Sequence, residues 1–296
     1  MIELSKVCKS FGPVQALDDF SMKVAPGSVY GLVGPNGAGK TTVMNHVAGV
    51  MRPDSGQVSV CGGRVFENPL VKSHIASIPS DLYYPDGSTI EDMRNFHALL
   101  FPDFSKERFA NISRVFGISE QRRIRTLSKG MKKQVAFWLA LSRTPDVLLL
   151  DEPVDGLDPL ARRMVWGLVM DEVAGRNMTV LLSSHNLREL TDVCDHVGIM
   201  EAGAMRLERS LSDLQENFVK VQVAFAGDLL TVPDSLDVVS REQEGRLFTL
   251  VVRANAQEVQ DAFAALNPLF VNVLPLSLEE IFIHELGGTR NEPLAD

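Results

Sequence analysis

The stretch Gly34-Pro35-Asn36-Gly37-Ala38-Gly39-Lys40-Thr41 decides the fold, because it matches G-x-x-x-x-G-K-[ST] directly after the apolar run at 29–33. Its three glycines let main-chain N–H groups converge on the β- and γ-phosphates of a nucleotide, and a helix beginning near Lys40 adds its positive N-terminal dipole. Lys40 supplies a positive charge to the phosphates, and Thr41 supplies a hydroxyl to Mg²⁺. A glycine-rich turn that fits by chance is the alternative, and the flanking strand and helix signals count against it. We call residues 34–41 the phosphate loop.

The composition is that of a globular chain with enough apolar material for a large core, 45% of 296 residues. Cys8, Cys61 and Cys194 lack C-x-x-C spacing, so we expect a reducing compartment in which each is a small buried hydrophobe. The net charge of −9 argues against a nucleic-acid partner. No apolar run reaches the roughly 18 to 20 residues that span a bilayer, and the N-terminus lacks a signal-peptide pattern. If the protein works at a membrane, another chain must do the spanning.

The first half of the chain reads as strands and helices arranged around the phosphate loop. Residues 1–24 alternate polar and apolar side chains around the turn at Phe11-Gly12-Pro13, which predicts an antiparallel strand pair. Residues 42–50 are predicted as a helix, and a turn at 53–56 leads into a strand at 57–60.

A helical insert is predicted between residues 90 and 143, where apolar side chains recur at spacings of three and four. Two apolar runs follow, at 147–150 and 180–182, and each ends in polar residues. Such runs are typical of buried parallel strands whose carboxyl ends carry the chemistry.

The pattern changes after about Ser210 to that of a small α+β module. Its predicted elements are strands at 219–225 and 247–252, a helix at 256–266, a strand at 270–274 and an amphipathic helix at 278–283 that ends at Gly287-Gly288. The last eight residues are polar and are expected to fray.

Four further segments accompany the phosphate loop and discriminate among nucleotide-binding families. They are Leu127-Ser128-Lys129-Gly130-Met131, Asp151-Glu152, Asp155-Gly156-Leu157-Asp158 and His185. Together with the loop they resemble the ATP-binding subunit of ATP-binding-cassette (ABC) transporters, over roughly the first 210 residues. The first segment begins 24 positions before Asp151, which is the family's usual spacing. A kinase or GTPase is disfavoured, because the sequence has no Asn-Lys-x-Asp guanine motif.

The carboxylate pair Asp151-Glu152 follows the strand predicted at 147–150. There Asp151 can hold Mg²⁺ through water, and Glu152 can orient or deprotonate the attacking water. Without the phosphate loop the pair could be a solvated loop edge. The resemblance implies that His185 contacts the γ-phosphate and helps to hold the water and Glu152 in line. A lone histidine is more often a core or surface residue, but the end of the strand at 180–182 brings it to the same edge.

Residues 127–131, which we call the signature segment, resemble the part of the family that meets a second subunit. The resemblance implies that Ser128 and Gly130 face the γ-phosphate of the ATP held by that subunit. Lys129 and Met131 replace the family's more usual Gly and Gln. The alternative is a capped helix with three solvated lysines, Lys129, Lys132 and Lys133.

Other nucleotide contacts follow from the resemblance. In the loop and the helix after it they fall to Asn36, Gly37, Ala38, Gly39, Lys40, Thr41 and Thr42. Phe11 aligns with an aromatic that stacks on adenine, although an ordinary core aromatic is the alternative. Asp158 resembles the residue that links two ATP sites across a dimer, and it also fits a turn in which Pro159 opens a helix.

The clearest departure from the family lies at Ile78-Pro79-Ser80-Asp81, where a glutamine generally reaches Mg²⁺ and senses the membrane partner. Ser80 stands at that place, and its hydroxyl is too short to cover the same distance. Either water bridges, or Asp81 substitutes, or the coupling between nucleotide and transport is altered.

The fold implied is α/β, a P-loop NTPase of ABC type. We expect an ABC ATPase domain at 1–210, with an antiparallel β subdomain and a helical subdomain at about 86–143, and a small C-terminal α+β module at 211–296. The variant signature segment, the single cassette and Ser277-Leu278-Glu279-Glu280 look like ATPase subunits of ABC-2-type bacterial exporters.

That resemblance implies an ATPase using ATP and Mg²⁺, paired as a homodimer or heterodimer, that drives a separate transmembrane permease from the cytoplasmic face of the cell membrane. The exposed face near Tyr83, Tyr84 and Pro85 is the expected docking region. The alternative is a soluble ABC-type ATPase clamp acting on a macromolecular complex. It is disfavoured because the chain has one phosphate loop, no sustained heptads and a negative net charge.

Overall fold

The computed structural model describes residues 1–226, 232–233, 235–277 and 280–281. The chain forms two compact units. The first contains Met1–Asn186 and Val193–Glu208, and the second contains Leu187–Asp192 and Arg209–Asp296. Each unit has a sheet and a hydrophobic core of its own.

A six-stranded sheet forms the centre of the first unit. Its strands are β3 (Val29–Val33), β6 (Ile75–Ile78), β7 (Val147–Asp151), β8 (Thr179–Ser184), β9 (His196–Glu201) and β10 (Ala204–Ser210). Their order is β10-β9-β3-β8-β7-β6, and β3 runs parallel to both β8 and β9. Every residue of β3, β7 and β8 is buried, as expected of parallel strands covered on both faces. The prediction of buried parallel strands at 147–150 and 180–182 is confirmed.

A second, antiparallel sheet flanks it. Its strands are β1 (Ile2–Phe11), β2 (Val14–Val24), β4 (Ser55–Val60) and β5 (Gly63–Arg64), in the order β2-β1-β4-β5. The predicted strand pair is confirmed, with Ile2 opposite Val24 and Phe11 opposite Val14. Buried side chains of both sheets and of the helix after β3 form one core cluster.

The helices of the first unit are α1 (Lys40–Val47), α2 (Pro69–Ser73), α3 (Ile90–Leu100), α4 (Lys106–Phe116), a 3-10 turn (Ile124–Thr126), α5 (Lys129–Ser142) and α6 (Pro159–Arg176). Helix α1 ends before the predicted residue 50, because Gly49 adopts a positive φ of 67° that no helix continues. Thr89 begins α3 with a reciprocal capping box to Asp92.

Helices α3, α4 and α5 form the predicted helical insert. Their core contains Phe109 stacked on Trp138, with ring centroids 4.4 Å apart. The Trp138 indole donates to the main-chain oxygen of Phe109 at 2.7 Å, so the buried N–H group is satisfied. Packing of this kind holds α5 against its neighbours and fixes where its N-terminus lies.

The second unit contains α7 (Arg188–Thr191), α8 (Leu211–Glu216), β11 (Val219–Ala224), β12 (Asp237–Glu244), β13 (Leu247–Arg253), α9 (Ala256–Ala264) and β14 (Phe270–Pro275). Its antiparallel sheet has the order β12-β13-β11-β14, and it confirms the predicted strands and helix between 219 and 274. Strand β12 was not predicted, because its sequence is mostly polar. Of the helix predicted at 278–283, only 280–281 are described; its end at Gly287-Gly288 and the last eight residues lie outside the described residues.

The composition led to expectations about the three cysteines and about membrane-spanning segments. Cys61 is exposed, which contradicts its prediction as a buried hydrophobe, since it lies in the turn between β4 and β5 with a positive φ of 51°. Cys8 and Cys194 are half-buried. Of the helices in the described part of the chain, none combines the length and the apolar character that a membrane crossing requires.

Candidate nucleotide-binding and hydrolysis site

The phosphate loop connects β3 to α1 and is shaped by glycines in tight contact with other main chain. A Cβ atom at Gly34 would lie 2.2 Å from the oxygen of Met200, and one at Gly39 would lie 2.5 Å from the oxygen of Ala16. Gly37 adopts a positive φ of 83°. Because L-residues fit none of these positions without strain, the loop curves as the sequence pattern predicts.

The N-terminus of α1 differs from that of every other described helix of eight or more residues. Side chains cap α3, α4, α5, α6 and α9, whereas Gly39 precedes α1 and supplies no side-chain cap. The first N–H groups of a helix have no intrahelical acceptor, and together with the helix dipole they form an anion site. Asn36 and Gly37 are exposed beside them, Ala38 is buried, and Thr42 is half-buried.

Lys40 lies inside this loop. Its ammonium donates to the main-chain oxygens of Gly34 at 2.7 Å and Pro35 at 3.2 Å. Burial lowers the pKa of Lys40, while the charges of Glu152 and Asp151 act in the opposite direction. The two carboxylates are therefore close enough to stabilise the ammonium form.

Thr41 and Asp151 meet across the gap between α1 and β7. The Thr41 hydroxyl donates to Asp151 Oδ2 at 3.0 Å, and the Ser183 hydroxyl of β8 donates to Asp151 Oδ1. Strands β7 and β8 are in register here, with Asp151 opposite Ser183. The sequence singled out Thr41 and Asp151 but gave no role to Ser183, although the Ser183-Ser184-His185 run marks the same strand end.

Glu152 and His185 are also brought together. His185 Nδ1 donates to Glu152 Oε2 at 2.9 Å, and the Glu152 carboxylate is mostly buried. Glu152 has a positive φ of 48°, which a non-glycine residue holds only when its surroundings require it. Its N–H group donates to the oxygen and the hydroxyl of Ser183, at 3.2 and 3.3 Å.

The signature segment leads into α5, whose N-cap is Ser128. The Ser128 hydroxyl accepts from the N–H group of Met131 at 3.2 Å, so the capping interaction is present. A Cβ atom at Gly130 would lie 2.7 Å from the oxygen of Gly156. Lys129 forms an ion pair with Asp155 at 2.7 Å, and this hydrogen bond lowers the pKa of Asp155.

Lys133 is buried, which differs from one of the expectations for the signature segment. The capped-helix alternative placed it in solvent with Lys129 and Lys132, whereas Lys133 is 1% exposed. Its ammonium donates to the main-chain oxygen of Glu152 and to that of Asp155 at 3.3 Å. One turn beyond Lys129, its position faces the interior because α5 lies on the loop after β7.

Asp158 and Phe11 have other partners. The Asp158 carboxylate caps α6 by accepting from the N–H group of Ala161 at 2.9 Å, and Pro159 opens the helix. Phe11 ends β1 and is 47% exposed, so it is not an ordinary core aromatic. The Lys9 ammonium lies 5.6 Å from the centroid of the Phe11 ring.

Ser80 lies two residues beyond β6, at the edge where Ile78 is opposite Leu150. Within the described residues it forms no hydrogen bond with Thr41 or Asp151. Asp81 is close enough to Lys129 to contribute, after Asp155, to a raised pKa of that lysine. Tyr83 is 86% exposed, but Tyr84 is largely buried and donates to the oxygen of Lys132 at 3.1 Å. The expected exposed face therefore includes Tyr83 and Pro85 but not the ring of Tyr84.

Comparison with known proteins gives consistent matches along the chain. The family model described as ABC transporter matches residues 17–155. The chain is 31% identical to the ABC transporter ATP-binding protein YtrB of Bacillus subtilis, over 98% of this chain and 99% of that protein. It is 31% identical to the Nod factor export ATP-binding protein I of Paraburkholderia xenovorans, over 97% of each chain.

Solved structures agree. One described as an ATP-binding subunit of an ABC transporter has a TM-score of 0.67 and 26% identity, covering 73% of this chain and 92% of that one. The dimeric post-hydrolysis state of the cassette MJ0796, bound to ADP and Pi, has a TM-score of 0.64 and 19% identity, covering 71% and 99%, and shares the fold. The chain therefore belongs to the ATP-binding proteins of ABC transporters. It is an ATP-binding ATPase subunit with a P-loop NTPase fold, as the resemblance implied.

Proposed function

We propose that this chain hydrolyses Mg-ATP at the carboxyl edge of the six-stranded sheet, and that two copies close around two nucleotides to drive a separate membrane permease in export. The convergence of Thr41, Asp151, Glu152 and His185 beside the uncapped N-terminus of α1 carries the proposal. In this proposal the phosphate loop binds the phosphates, and Thr41 and Asp151 hold the metal. Glu152 and His185 orient and activate the attacking water.

Phosphate binding is supported by the donors that the loop presents. The N–H groups of residues 40–42 lie in the first turn of α1, where they have no intrahelical acceptor and no side-chain cap, so they can donate to an anion. The Lys40 ammonium is already held inside the loop by two carbonyl oxygens. Phosphate oxygens are stronger acceptors than carbonyls because they are charged, so Lys40 donates to them when the nucleotide binds.

The residues present fit Mg²⁺. The Thr41 hydroxyl and the Asp151 carboxylate are hard oxygen ligands 3.0 Å apart. Across the described residues, no group of three or more His, Cys, Asp or Glu side chains forms a metal cage. Mg²⁺ commonly takes one or two protein ligands and completes its shell with phosphate oxygens and water. When bound, Mg²⁺ neutralises charge on the β- and γ-phosphates. The shorter Ser80 is assigned a contact through water.

Glu152 is proposed as the group that orients and deprotonates the attacking water. His185 donates to its carboxylate and keeps it at the sheet edge, where His185 also reaches the γ-phosphate. Asp151 and Glu152 are assigned different roles because their hydrogen-bond partners differ. The Asp151 carboxylate accepts from the hydroxyls of Thr41 and Ser183, whereas the Glu152 carboxylate accepts from His185.

Pairing of two copies is supported by the division of functional segments within the chain. Each copy contains both a phosphate loop and a signature segment, so two copies supply the parts of two complete sites. In such a pair Ser128 and Gly130 donate to the γ-phosphate held by the other copy, Asp158 links the two sites, and Phe11 stacks on adenine.

The membrane partner is proposed to dock on the helical insert from the cytoplasmic face. Large apolar side chains are exposed there, at Tyr83, Phe96 and Leu99. Relatives named for export, such as the Nod factor protein, support the direction. The partner is a permease whose cytoplasmic segment contributes the apolar contacts.

Docking is tested by membrane co-sedimentation of the Tyr83→Ala, Phe96→Ala double variant with the permease. The matched control replaces Val50 and Leu70, which are exposed apolar residues outside the insert. We expect the first variant to lose most of its binding and the control to keep it. Equal binding by both would refute the docking region.

The ATPase site is tested by phosphate release from the purified full chain. Hydrolysis should require Mg²⁺ and stop when EDTA removes it, while residual ATP binding persists through the loop and Lys40. An enzyme that works at the same rate in EDTA would contradict the metal assignment.

A further inference from the structure

Lys133 is a buried charge that the proposed reaction leaves without a role. It lies in the second turn of α5 and is 1% exposed. A buried ammonium is costly unless hydrogen bonds satisfy it. Here it donates to two main-chain oxygens, those of Glu152 and Asp155. Burial lowers the pKa of Lys133, and the nearby Asp155 carboxylate acts in the opposite direction.

The two acceptors belong to one short segment, residues 152–156, which carries Glu152. The segment is a tight turn, with the N–H group of Asp155 donating to the oxygen of Glu152 at 3.4 Å. Glu152 holds its positive φ of 48° within it. A residue in that region returns to ordinary backbone angles unless its neighbours prevent it, so the conformation needs an external partner.

Helix α5 holds this segment at two further points. Lys129 pairs with the Asp155 side chain, and Gly130 approaches the Gly156 oxygen so closely that any side chain at 130 would collide with it. Lys129 and Lys133 are four residues apart and therefore lie on one face of the helix. The start of α5 and the 152–156 segment thus form one packed piece, with Lys133 at its buried centre.

We propose that Lys133 is a positioning residue for ATP hydrolysis: its ammonium fixes the main chain at Glu152 and Asp155 and so aims the Glu152 carboxylate at the attacking water. This inference rests on the proposed role of Glu152. Lys133 does not touch the phosphate loop through any described contact, so it acts on turnover and not on nucleotide affinity. A lysine that served only to stabilise the fold would have no such selectivity.

Steady-state hydrolysis by the full chain separates these roles. Lys133→Met keeps the length of the side chain and removes its donors and charge, and Lys133→Gln keeps a donor on a shorter arm. We expect Lys133→Met to lower kcat by about 10- to 100-fold, since small misplacements of a catalytic group have effects of that order. The KM for ATP should stay within about twofold. Lys133→Gln should lie between Lys133→Met and the wild type, and it keeps the test usable if Lys133→Met fails to fold.

Lys132→Met is the matched control, because it removes the same charge from the same helix, while the hydrogen bonds described for Lys132 involve its main chain, with the Tyr84 hydroxyl and the Ser128 oxygen. Its kcat should match that of the wild type. If kcat of Lys133→Met and Lys133→Gln also stays within twofold of the wild type, or if KM rises in step with the fall in kcat, Lys133 is not a positioning residue.

A combined variant tests the route through Glu152. If Lys133 acts through that carboxylate, Lys133→Met should add no further loss of single-turnover rate to Glu152→Gln. A second loss of full size would overturn the inference. An active Glu152→Gln enzyme would instead refute the proposed role of Glu152, so the two failures are distinguishable.

Discussion

Helices α1 and α5 both begin at segments that the sequence assigns to ATP, yet their N-termini are built differently. Helix α1 follows Gly39 and has no side-chain cap, so its first N–H groups remain available to an anion. Helix α5 is capped by Ser128 and tied to the 152–156 segment through Lys129 and Lys133. The N-terminus of α1 has no side-chain cap, whereas that of α5 has a capping hydroxyl and two lysine contacts within its own chain.

The difference separates two kinds of site. The α1 terminus is complete in one copy, because its glycines, Lys40 and Thr41 are contiguous. The α5 terminus is coupled to Glu152 in its own copy, while its proposed ligand belongs to another copy. When two copies close on each other, the N-terminus of α5 in one copy would approach the N-terminus of α1 in the other. Because α5 is tied to residues 152–156, this closure would also affect the segment that carries Glu152.

The largest effect is expected at Glu152, which lies between the two helix ends. Glu152→Gln keeps the size and hydrogen-bonding capacity of the side chain but removes its basicity. Phosphate release should fall by about 10²- to 10⁴-fold, the usual contribution of a general base, with ATP binding retained. Glu201→Gln, at an exposed carboxylate of β9, is the control and should be fully active. Near-normal turnover of Glu152→Gln would remove Glu152 from the mechanism.

The second-largest effect is expected at Lys40, at the uncapped N-terminus of α1. Lys40→Ala removes a charge-assisted hydrogen bond worth about 1.5–3 kcal/mol, so the Kd for ATP should rise by roughly 10- to 150-fold. Isothermal titration with the full chain measures this rise. Lys23→Ala, at an exposed lysine of β2, should leave the Kd unchanged. An unaltered Kd in Lys40→Ala would mean that the loop binds phosphate without its lysine.

Substitutions of two serines test the role of the capped N-terminus of α5. Ser128 and Ser105 cap α5 and α4 through hydrogen bonds of the same length, 3.2 Å. Replacing either by alanine should cost about 1 kcal/mol of unfolding free energy, measured by thermal denaturation. Only Ser128→Ala should also slow hydrolysis, by about tenfold, because its hydroxyl is proposed to meet a second ATP. Equal turnover of the two variants would reduce Ser128 to a cap.

The smallest effect is expected at Phe11. Stacking of aromatic rings contributes about 0.5–1.5 kcal/mol, so Phe11→Ala should raise the Kd for ATP by roughly 2- to 12-fold. Phe11→Tyr should leave the Kd within about twofold, because either ring can stack. Fluorescence titration with a labelled ATP analogue would measure both. If Phe11→Ala binds as tightly as Phe11→Tyr, the ring does not contact adenine.

The sequence could predict the phosphate loop before α1 and the helix cap at Ser128, but not the contacts that tie α5 to residues 152–156, for a physical reason. Residues 34–41 act through contiguous main chain, so a local pattern contains the loop, and periodicity likewise indicates the buried strands that follow. Ser183 and Lys133 act through contacts 32 and 19 residues away in the chain. Lysine is usually solvated, so nothing in the sequence marked Lys133 as buried. Tyr84 and Cys61 were misplaced for the same reason, since their exposure depends on tertiary packing.

Pairing of two copies is the central claim, and light scattering on the Glu152→Gln variant tests it most directly. Slow turnover should let ATP remain bound, so that Mg-ATP converts the protein from the mass of one copy to that of two. Adding Ser128→Ala should weaken that conversion, whereas Ser105→Ala should not. A mass of one copy with ATP demonstrably bound would contradict the account and would indicate that the α5 end meets a different cassette.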